Sequence, residues 1–295
     1  MVKNTDNFIM LPTVDFCFKE LMKNDKVRKG FVAAILGKAP EEIRRTTLLP
    51  TELRKESEDD KLGILDVMIE LEEGTLMNME MQVASFDYWT NRILFYISKI
   101  YTGQIRTGED YDKLQKCVHV SILDFIYFPD DDRCYRKAAF CDVETGELYT
   151  DLMEIHMLEL RKLPPEAQNE KGIIHWMRFL GGKKREEFED MAKQDEYIGE
   201  AYEELKKLSL DDQKRLEYEL RQKAIRDYNS QMNSAMRRGK EIGEEQGLKK
   251  GRRDALRELI GKKLEKGMPL EDIAEFMELN PDEVRELAKE WKKEK

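Results

Sequence analysis

Asp66, Glu80 and Gln82 are the residues of this chain best suited to chemistry, because they lie in two short successive segments with alternating apolar residues. Carboxylates that face each other on adjacent strands have their Cβ atoms about 4.5–5.5 Å apart and repel each other. A divalent cation relieves this repulsion, and Mg²⁺ is typically held by one or two carboxylates together with water and substrate phosphate. The pattern predicts a metal site at Asp66 and Glu80. The alternative is a pair of ordinary acids on the exposed face of a hairpin.

A β-hairpin is the element that would bring the two acids together. The segment Glu72-Glu73-Gly74 fits a three-residue loop with Gly74 in the left-handed conformation. In that register the numbers of paired residues sum to 146, so Asp66 stands opposite Glu80. The other face is apolar and its burial sets the parity of the register; its residues are Leu65, Val67, Ile69, Leu71, Met77, Met79 and Met81.

The surrounding patterns predict helices and strands that would cover this hairpin. Apolar periodicity predicts helices over about residues 14–36 and 87–104, and a continuous apolar run predicts a buried central strand over 118–128. A polar connection spans 50–61. A second hairpin is expected over 137–143 and 147–149, and a further strand over 152–160. Strands mixed with covering helices predict an α/β fold. Further helices are expected over 166–179, 184–208 and from 209 toward 265.

The composition limits the classes of function. The chain has 295 residues, 38 % of them charged, and a net charge of −10, which excludes a globally basic DNA-binding protein. No run approaches the roughly 18 apolar residues of a membrane span, and the first residues lack the apolar core of a signal peptide. We therefore expect a cytoplasmic protein with no membrane partner. Nine acids and three bases in residues 51–73 would attract cations.

The order of elements is similar to the core of the PD-(D/E)xK nuclease superfamily: a helix, an acidic hairpin, a second helix and a buried strand. More closely, the chain resembles the Rpn family of recombination-promoting nucleases over most of its length. The resemblance implies a nuclease core, a mixed sheet flanked by helices, followed by an extended α-helical C-terminal region. The matching residues are Asp15-Phe16-Cys17-Phe18-Lys19, Asp66, Glu80-Met81-Gln82, Arg92 with Tyr96, Gly108-Glu109-Asp110-Tyr111 and Ile122-Leu123-Asp124-Phe125.

The resemblance implies a Mg²⁺-dependent DNA endonuclease, with Mn²⁺ as an alternative cofactor. Asp66 and Glu80 would bind the metal, with the backbone carbonyl of Met81 as a further ligand. Gln82 stands where the superfamily typically has lysine. Its amide can orient the attacking water but supplies no positive charge, so the metal must carry more of the transition-state stabilisation.

Other residues are expected to support this chemistry. Lys19, on the first helix, would provide the missing cation. Asp15, four residues earlier, either supports Lys19 or forms an ordinary surface ion pair with it. Arg92 and Lys99, on the helix after the hairpin, would contact DNA phosphates. The alternative function is a catalytically degenerate nuclease fold that acts as a DNA-binding or oligomeric interaction module.

The C-terminal region carries a stripe of small residues every four positions, from Ala235 through Gly239, Gly243, Gly247 and Gly251 to Ala255. Such a stripe allows close helix approach, and we expect either a homo-oligomer through this helix or a flexible charged connector. Residues 237–266 have a local charge of +5, which suits either phosphate contact or a solvated surface.

Three regions are expected along the chain: a nuclease core over 1–163, a helical region over 164–235, and a glycine-striped helix with a helix-turn-helix-like tail over 236–295. The last predicted helix begins Asp282-Glu283, where a groove-reading helix would contact bases. Its acidic start favours a packing or dimer module over sequence-specific DNA recognition.

Overall fold

A computed structural model describes residues 8–52, 65–84, 87–166 and 170–293. The chain forms two compact units, Met1–Arg226 and Asp227–Lys295. The helices of the described residues are α1 (Asp15–Leu21), α2 (Asp25–Leu36), α3 (Trp89–Thr102), α4 (Gly172–Gly181), α5 (Arg185–Ala192), α6 (Glu196–Leu210), α7 (Asp212–Glu265), α8 (Leu270–Met277) and α9 (Pro281–Lys293). The strands are β1 (Thr46–Leu49), β2 (Val67–Leu71), β3 (Leu76–Gln82), β4 (Cys117–Leu123), β5 (Tyr135–Cys141) and β6 (Leu148–Glu159).

The first unit is built on a six-stranded sheet with the strand order β1-β2-β3-β4-β6-β5. Strands β3, β4 and β6 are mutually parallel, and the remaining pairs are antiparallel. The main core, on one face, contains residues of α1, α2, α4, α5 and α6, while α3 covers the other face. This mixed sheet flanked by helices, followed by the long helix α7, confirms the predicted α/β fold class.

The predicted hairpin register is confirmed. Val67 pairs with Met79 and Ile69 with Met77, and Gly74 closes the loop with a φ of +86°. The face predicted to be apolar lies in the main core, except for Leu65, for which the prediction is wrong. Leu65 precedes the first strand residue, and its N–H donates to Thr51 O at 2.9 Å. Its side chain therefore does not follow the alternation of β2 and packs against residues of α3.

Two predicted helices are each divided by a capping residue. The helix expected over 14–36 is two helices, because the Asn24 side chain accepts hydrogen bonds from Lys26 N and Val27 N and starts α2. Asp195 starts α6 in the same way and divides the helix expected over 184–208. Side-chain caps satisfy the free N–H groups of a new helix start, whereas the apolar periodicity continues across both breaks.

Other predicted boundaries also differ. The central strand ends at Leu123, not at residue 128, and the segments expected over 147–149 and 152–160 are one strand, β6. The helix expected from residue 166 begins at Gly172. Some of the predicted segments lie outside the described residues: residues 53–61 of the polar connection, with four of the acids counted around it, and residues 167–169.

The second unit contains a small helical core formed by the end of α7 with α8 and α9; Ile260, Ile273, Val284 and Leu287 are its most buried large residues. Asn280 caps α9 by accepting a hydrogen bond from Asp282 N at 2.8 Å. A Cβ added at Gly239, Gly243, Gly247 or Gly251 would have no atom within 4 Å apart from its chain neighbours and the backbone of its own helix. Within the described part of the chain, no helix combines the length and apolar character needed to cross a membrane.

Candidate active site

Asp66 lies immediately before β2 and connects three elements. Its Oδ2 accepts a hydrogen bond from the backbone N–H of Met81 on β3 at 3.1 Å. Its Oδ1 lies 2.9 Å from the Nζ of Lys19 on α1. The side chain remains 17 % exposed, so the carboxylate is held in place and still reaches solvent.

Glu80 lies on β3 and is 1 % exposed, because α3 covers this face of the sheet. The exposed-face alternative is therefore wrong for Glu80. Its Oε1 accepts hydrogen bonds from Gln82 Nε2 at 2.8 Å and from Arg92 Nη2 at 2.6 Å. Its Oε2 is buried and has no hydrogen-bond partner among the described residues. Buried polar atoms nearly always have a partner, so Glu80 Oε2 is an exception within the described chain.

The charges around Glu80 have opposite effects on its pKa. Burial raises the pKa of Glu80 to about 6; the positive charge of Arg92 lowers it and the negative charge of Asp66 raises it further. The predicted repulsion between the two acids is therefore present. In this structure Lys19 contacts one carboxylate and Arg92 contacts the other.

Lys19 is also held by a second acid. Its Nζ lies 3.6 Å from Asp15 Oδ2, one helical turn earlier, and the same oxygen lies 3.8 Å from Arg221 Nη1. Asp15 thus contacts Lys19, as predicted, without reaching the pair of acids itself.

Arg92 and Lys99 differ in their relation to the site. The Arg92 guanidinium lies over the rings of Trp89 and Tyr96, with its carbon 5.6 Å and 5.1 Å from the ring centroids. Lys99 lies seven residues further along α3, about 10.5 Å along the axis, and its Nζ lies 5.5 Å from the Phe95 centroid. Arg92 thus contacts Glu80, one of the two acids.

A further charged cluster lies at the carboxyl edge of the parallel strands, and the sequence analysis assigned no role to its members, Asp124, Arg161 and Lys183. Asp124 N donates to Gln82 O at 2.8 Å at the carboxyl edge of the parallel strands. The Asp124 carboxylate lies 3.2 Å from Arg161 Nε and 3.7 Å from Lys183 Nζ, and all three residues line a cavity of about 570 Å³. Asp124, a charged residue inside the apolar run predicted as the central strand, was the signal that this strand ends at Leu123.

His119 is a satisfied core residue, as expected of a histidine in an apolar strand. Its ring nitrogens lie 3.0 Å from Asn78 Nδ2 and 2.9 Å from Ser121 Oγ. Burial, with the nearby charge of Arg92, lowers the pKa of His119 to about 3, so the ring is neutral.

The donor set fits a hard divalent cation. Among the described residues, no three His, Cys, Asp or Glu side chains gather around one point. Asp66 and Glu80 are nevertheless all-oxygen donors, and Glu80 Oε2 is unpartnered within the described chain. Mg²⁺ is usually held by one or two carboxylates, with water and phosphate completing its coordination. These residues meet that requirement.

Comparison with known families gives one result. The sequence model described as PD-(D/E)XK nuclease family transposase matches residues 12–235, about three quarters of the chain. The match includes Lys19, Asp66, Glu80, Gln82 and Arg92. Searches of curated proteins and of solved structures found no match.

Proposed function

The chain belongs to the PD-(D/E)XK nuclease family transposases, and on that premise we propose that it is a divalent-metal-dependent DNA endonuclease of the Rpn type. It hydrolyses phosphodiester bonds through attack of water on phosphorus. One observation carries the proposal: Asp66 contacts Lys19 and the backbone N–H of Met81, the residue after Glu80, while Glu80 Oε2 has no partner among the described residues.

Asp66 and Glu80, with the backbone carbonyl of Met81, hold the metal in this proposal. The metal is Mg²⁺, with Mn²⁺ as the alternative. When bound, such an ion lowers the pKa of a coordinated water and polarises the scissile phosphate. The hydrogen bond from Met81 N to Asp66 Oδ2 keeps the first carboxylate against β3.

Lys19 and Gln82 support the reaction from the protein. The Lys19 ammonium, 2.9 Å from Asp66, stabilises negative charge that develops on the phosphate oxygens. Asp15 keeps Lys19 near the site. Gln82 donates its amide N–H to Glu80, which leaves its amide oxygen to accept a hydrogen bond from the attacking water.

DNA is the substrate, and local bases must bind it because the chain as a whole is acidic. Lys99 is the first candidate for phosphate contact, because Arg92 already donates to Glu80. Self-association through the glycine-striped part of α7 belongs to the same proposal, since these glycines have open space around them in a single chain.

Plasmid nicking tests the proposed activity. The wild-type protein is expected to nick supercoiled plasmid with Mg²⁺ and not with EDTA, and Asp66→Ala is expected to remove nicking. Glu70→Ala is the matched control, since Glu70 is an exposed acid on the same hairpin and should leave nicking unchanged. Equal nicking by wild type and Asp66→Ala would reject the assignment.

A catalytically degenerate module is the second candidate function, because each acid already contacts a cation of the protein itself. In that case the protein binds DNA, or assembles into oligomers, without cleaving it. DNA binding that persists in EDTA, together with no nicking in Mg²⁺ or Mn²⁺, would favour this function.

A further inference from the structure

We infer that Arg92 is a positioning residue for Glu80, a role that rests on the proposed function. Together with Gln82, it holds Oε1 so that Oε2 is the oxygen offered to the metal.

The contacts of Glu80 are strongly unequal. Arg92 Nη2 and Gln82 Nε2 both donate to Oε1, at 2.6 Å and 2.8 Å, while Oε2 receives no donor from the described chain. A carboxylate fixed through one oxygen cannot rotate without breaking two hydrogen bonds, one of them charge-assisted. The orientation of Oε2 is therefore set before any ligand binds.

Arg92 is itself held in place by α3. Trp89, Arg92 and Tyr96 are spaced three and four residues apart and share one face of the helix. Both rings are buried, and the guanidinium lies within 6 Å of each ring centroid. This arrangement makes Arg92 a fixed donor to Glu80, although its side chain is 40 % exposed.

The same geometry explains why an amide suffices at position 82. A lysine there would place a second cation beside Glu80, which already has Arg92 at 2.6 Å. Gln82 adds a hydrogen bond to Oε1 without adding charge. The positive charge and the hydrogen bond thus come from different elements, α3 and β3.

The variant Arg92→Gln distinguishes the positioning role from two other roles, repulsion of the metal and contact with DNA phosphate, because each role predicts a different change in binding. Where Glu80 is ionised, loss of a cation near a metal site would by itself tighten Mg²⁺ binding, because a repelling charge is removed. Arg92 lowers the pKa of Glu80, so the comparison is made at a pH well above that pKa. Loss of the residue that orients a ligand weakens binding instead, typically about 10–100-fold. Loss of a phosphate contact would weaken DNA binding and reduce its salt slope by about one.

The test compares wild type, Arg92→Gln and the double variant Gln82→Lys/Arg92→Gln, with Arg45→Gln as a control at an exposed arginine outside the site. Mg²⁺ affinity is measured by calorimetry without DNA, and the nicking rate is measured at saturating Mg²⁺. DNA affinity is measured by fluorescence anisotropy in EDTA. We expect Arg92→Gln to weaken Mg²⁺ binding and slow nicking at least about tenfold each, with unchanged DNA affinity. The double variant, in which a cation again contacts Glu80, should recover much of both losses.

Three outcomes would overturn the inference: Mg²⁺ binding by Arg92→Gln as tight as or tighter than wild type, weaker DNA binding with a smaller salt slope, or no recovery in the double variant. The double variant keeps a cation beside the buried Glu80, so it also guards against misfolding of Arg92→Gln. A wild-type protein that neither binds Mg²⁺ nor nicks DNA would instead reject the proposed function, and this inference with it.

Discussion

At the scale of single residues, the site is a balance of two acids and two bases. Asp66 contacts Lys19, and Glu80 contacts Arg92. Without these contacts the two carboxylates would repel each other across the hairpin, and Glu80 would be a buried charge without a partner, which is strongly destabilising. The bases therefore stabilise the acids when no other cation is present, and a metal has to share the carboxylates with them.

Lys19 gives a prediction with two separable effects. Lys19→Met should slow nicking about 100-fold, because it removes a charge that stabilises the phosphate in the transition state. Mg²⁺ binding, measured by calorimetry, should be as tight as in wild type or tighter, because a competing cation is gone. Lys23→Met, an exposed lysine just after the same helix, is the control. Weaker Mg²⁺ binding by Lys19→Met would show that Lys19 helps to build the metal site.

Glu80 gives a prediction for the pH dependence of stability without metal. Its pKa is raised by burial from 4.5 to about 6, so the folded protein keeps this proton while the unfolded chain loses it. Stability is therefore lost as the pH rises through that window, by about 2 kcal/mol, and stays lost above it. Urea unfolding in EDTA should show wild type losing this amount between pH 4 and 7 relative to Glu80→Gln. A pH-independent difference would contradict the raised pKa.

At the scale of elements, the hairpin, the helix after it and the buried central strand could be predicted, whereas the helix breaks and the contacts between elements could not. Loop length and Gly74 were enough to predict the register, because alternation allows one parity only. The breaks at Asn24 and Asp195 were missed, since apolar periodicity continues across a capping residue. The contact between Glu80 and Arg92 joins β3 to α3, and spacing within either element carries no information about their packing.

Substitution of Gly74 tests how far the metal site depends on the β2–β3 hairpin. A Cβ at Gly74 would lie 3.1 Å from Gln115 Cγ, and the φ of +86° disfavours any other residue. Gly74→Ala should cost about 1–2 kcal/mol in urea unfolding and weaken Mg²⁺ binding, because Asp66 and Glu80 depend on the register. Glu73→Ala, in the same loop without a positive φ, should change neither. Full stability of Gly74→Ala would contradict the assigned loop.

At the scale of the whole molecule, the long helix α7 has a composition that a single chain does not explain. Four glycines in the interior of a helix cost about 3–4 kcal/mol relative to alanine, and their surroundings are open. The predicted region boundaries at residues 163 and 235, like the proposed self-association, remain predictions.

Gly243 tests self-association. Gly243→Leu should lower the molar mass measured by light scattering, because the larger side chain blocks close approach of a second helix. Gly243→Ala keeps a small residue and improves helix propensity, so it should keep the mass of wild type. An identical mass for all three proteins would exclude the glycine stripe as a contact surface.

The central claim is that Asp66 and Glu80 share one divalent cation, and anomalous diffraction from crystals soaked in Mn²⁺ tests it most directly. We predict one strong peak within coordination distance of Asp66 and of Glu80 Oε2, which is absent in Asp66→Ala crystals treated in the same way. A map with no peak between these carboxylates, or with the same peak in both proteins, would contradict the account.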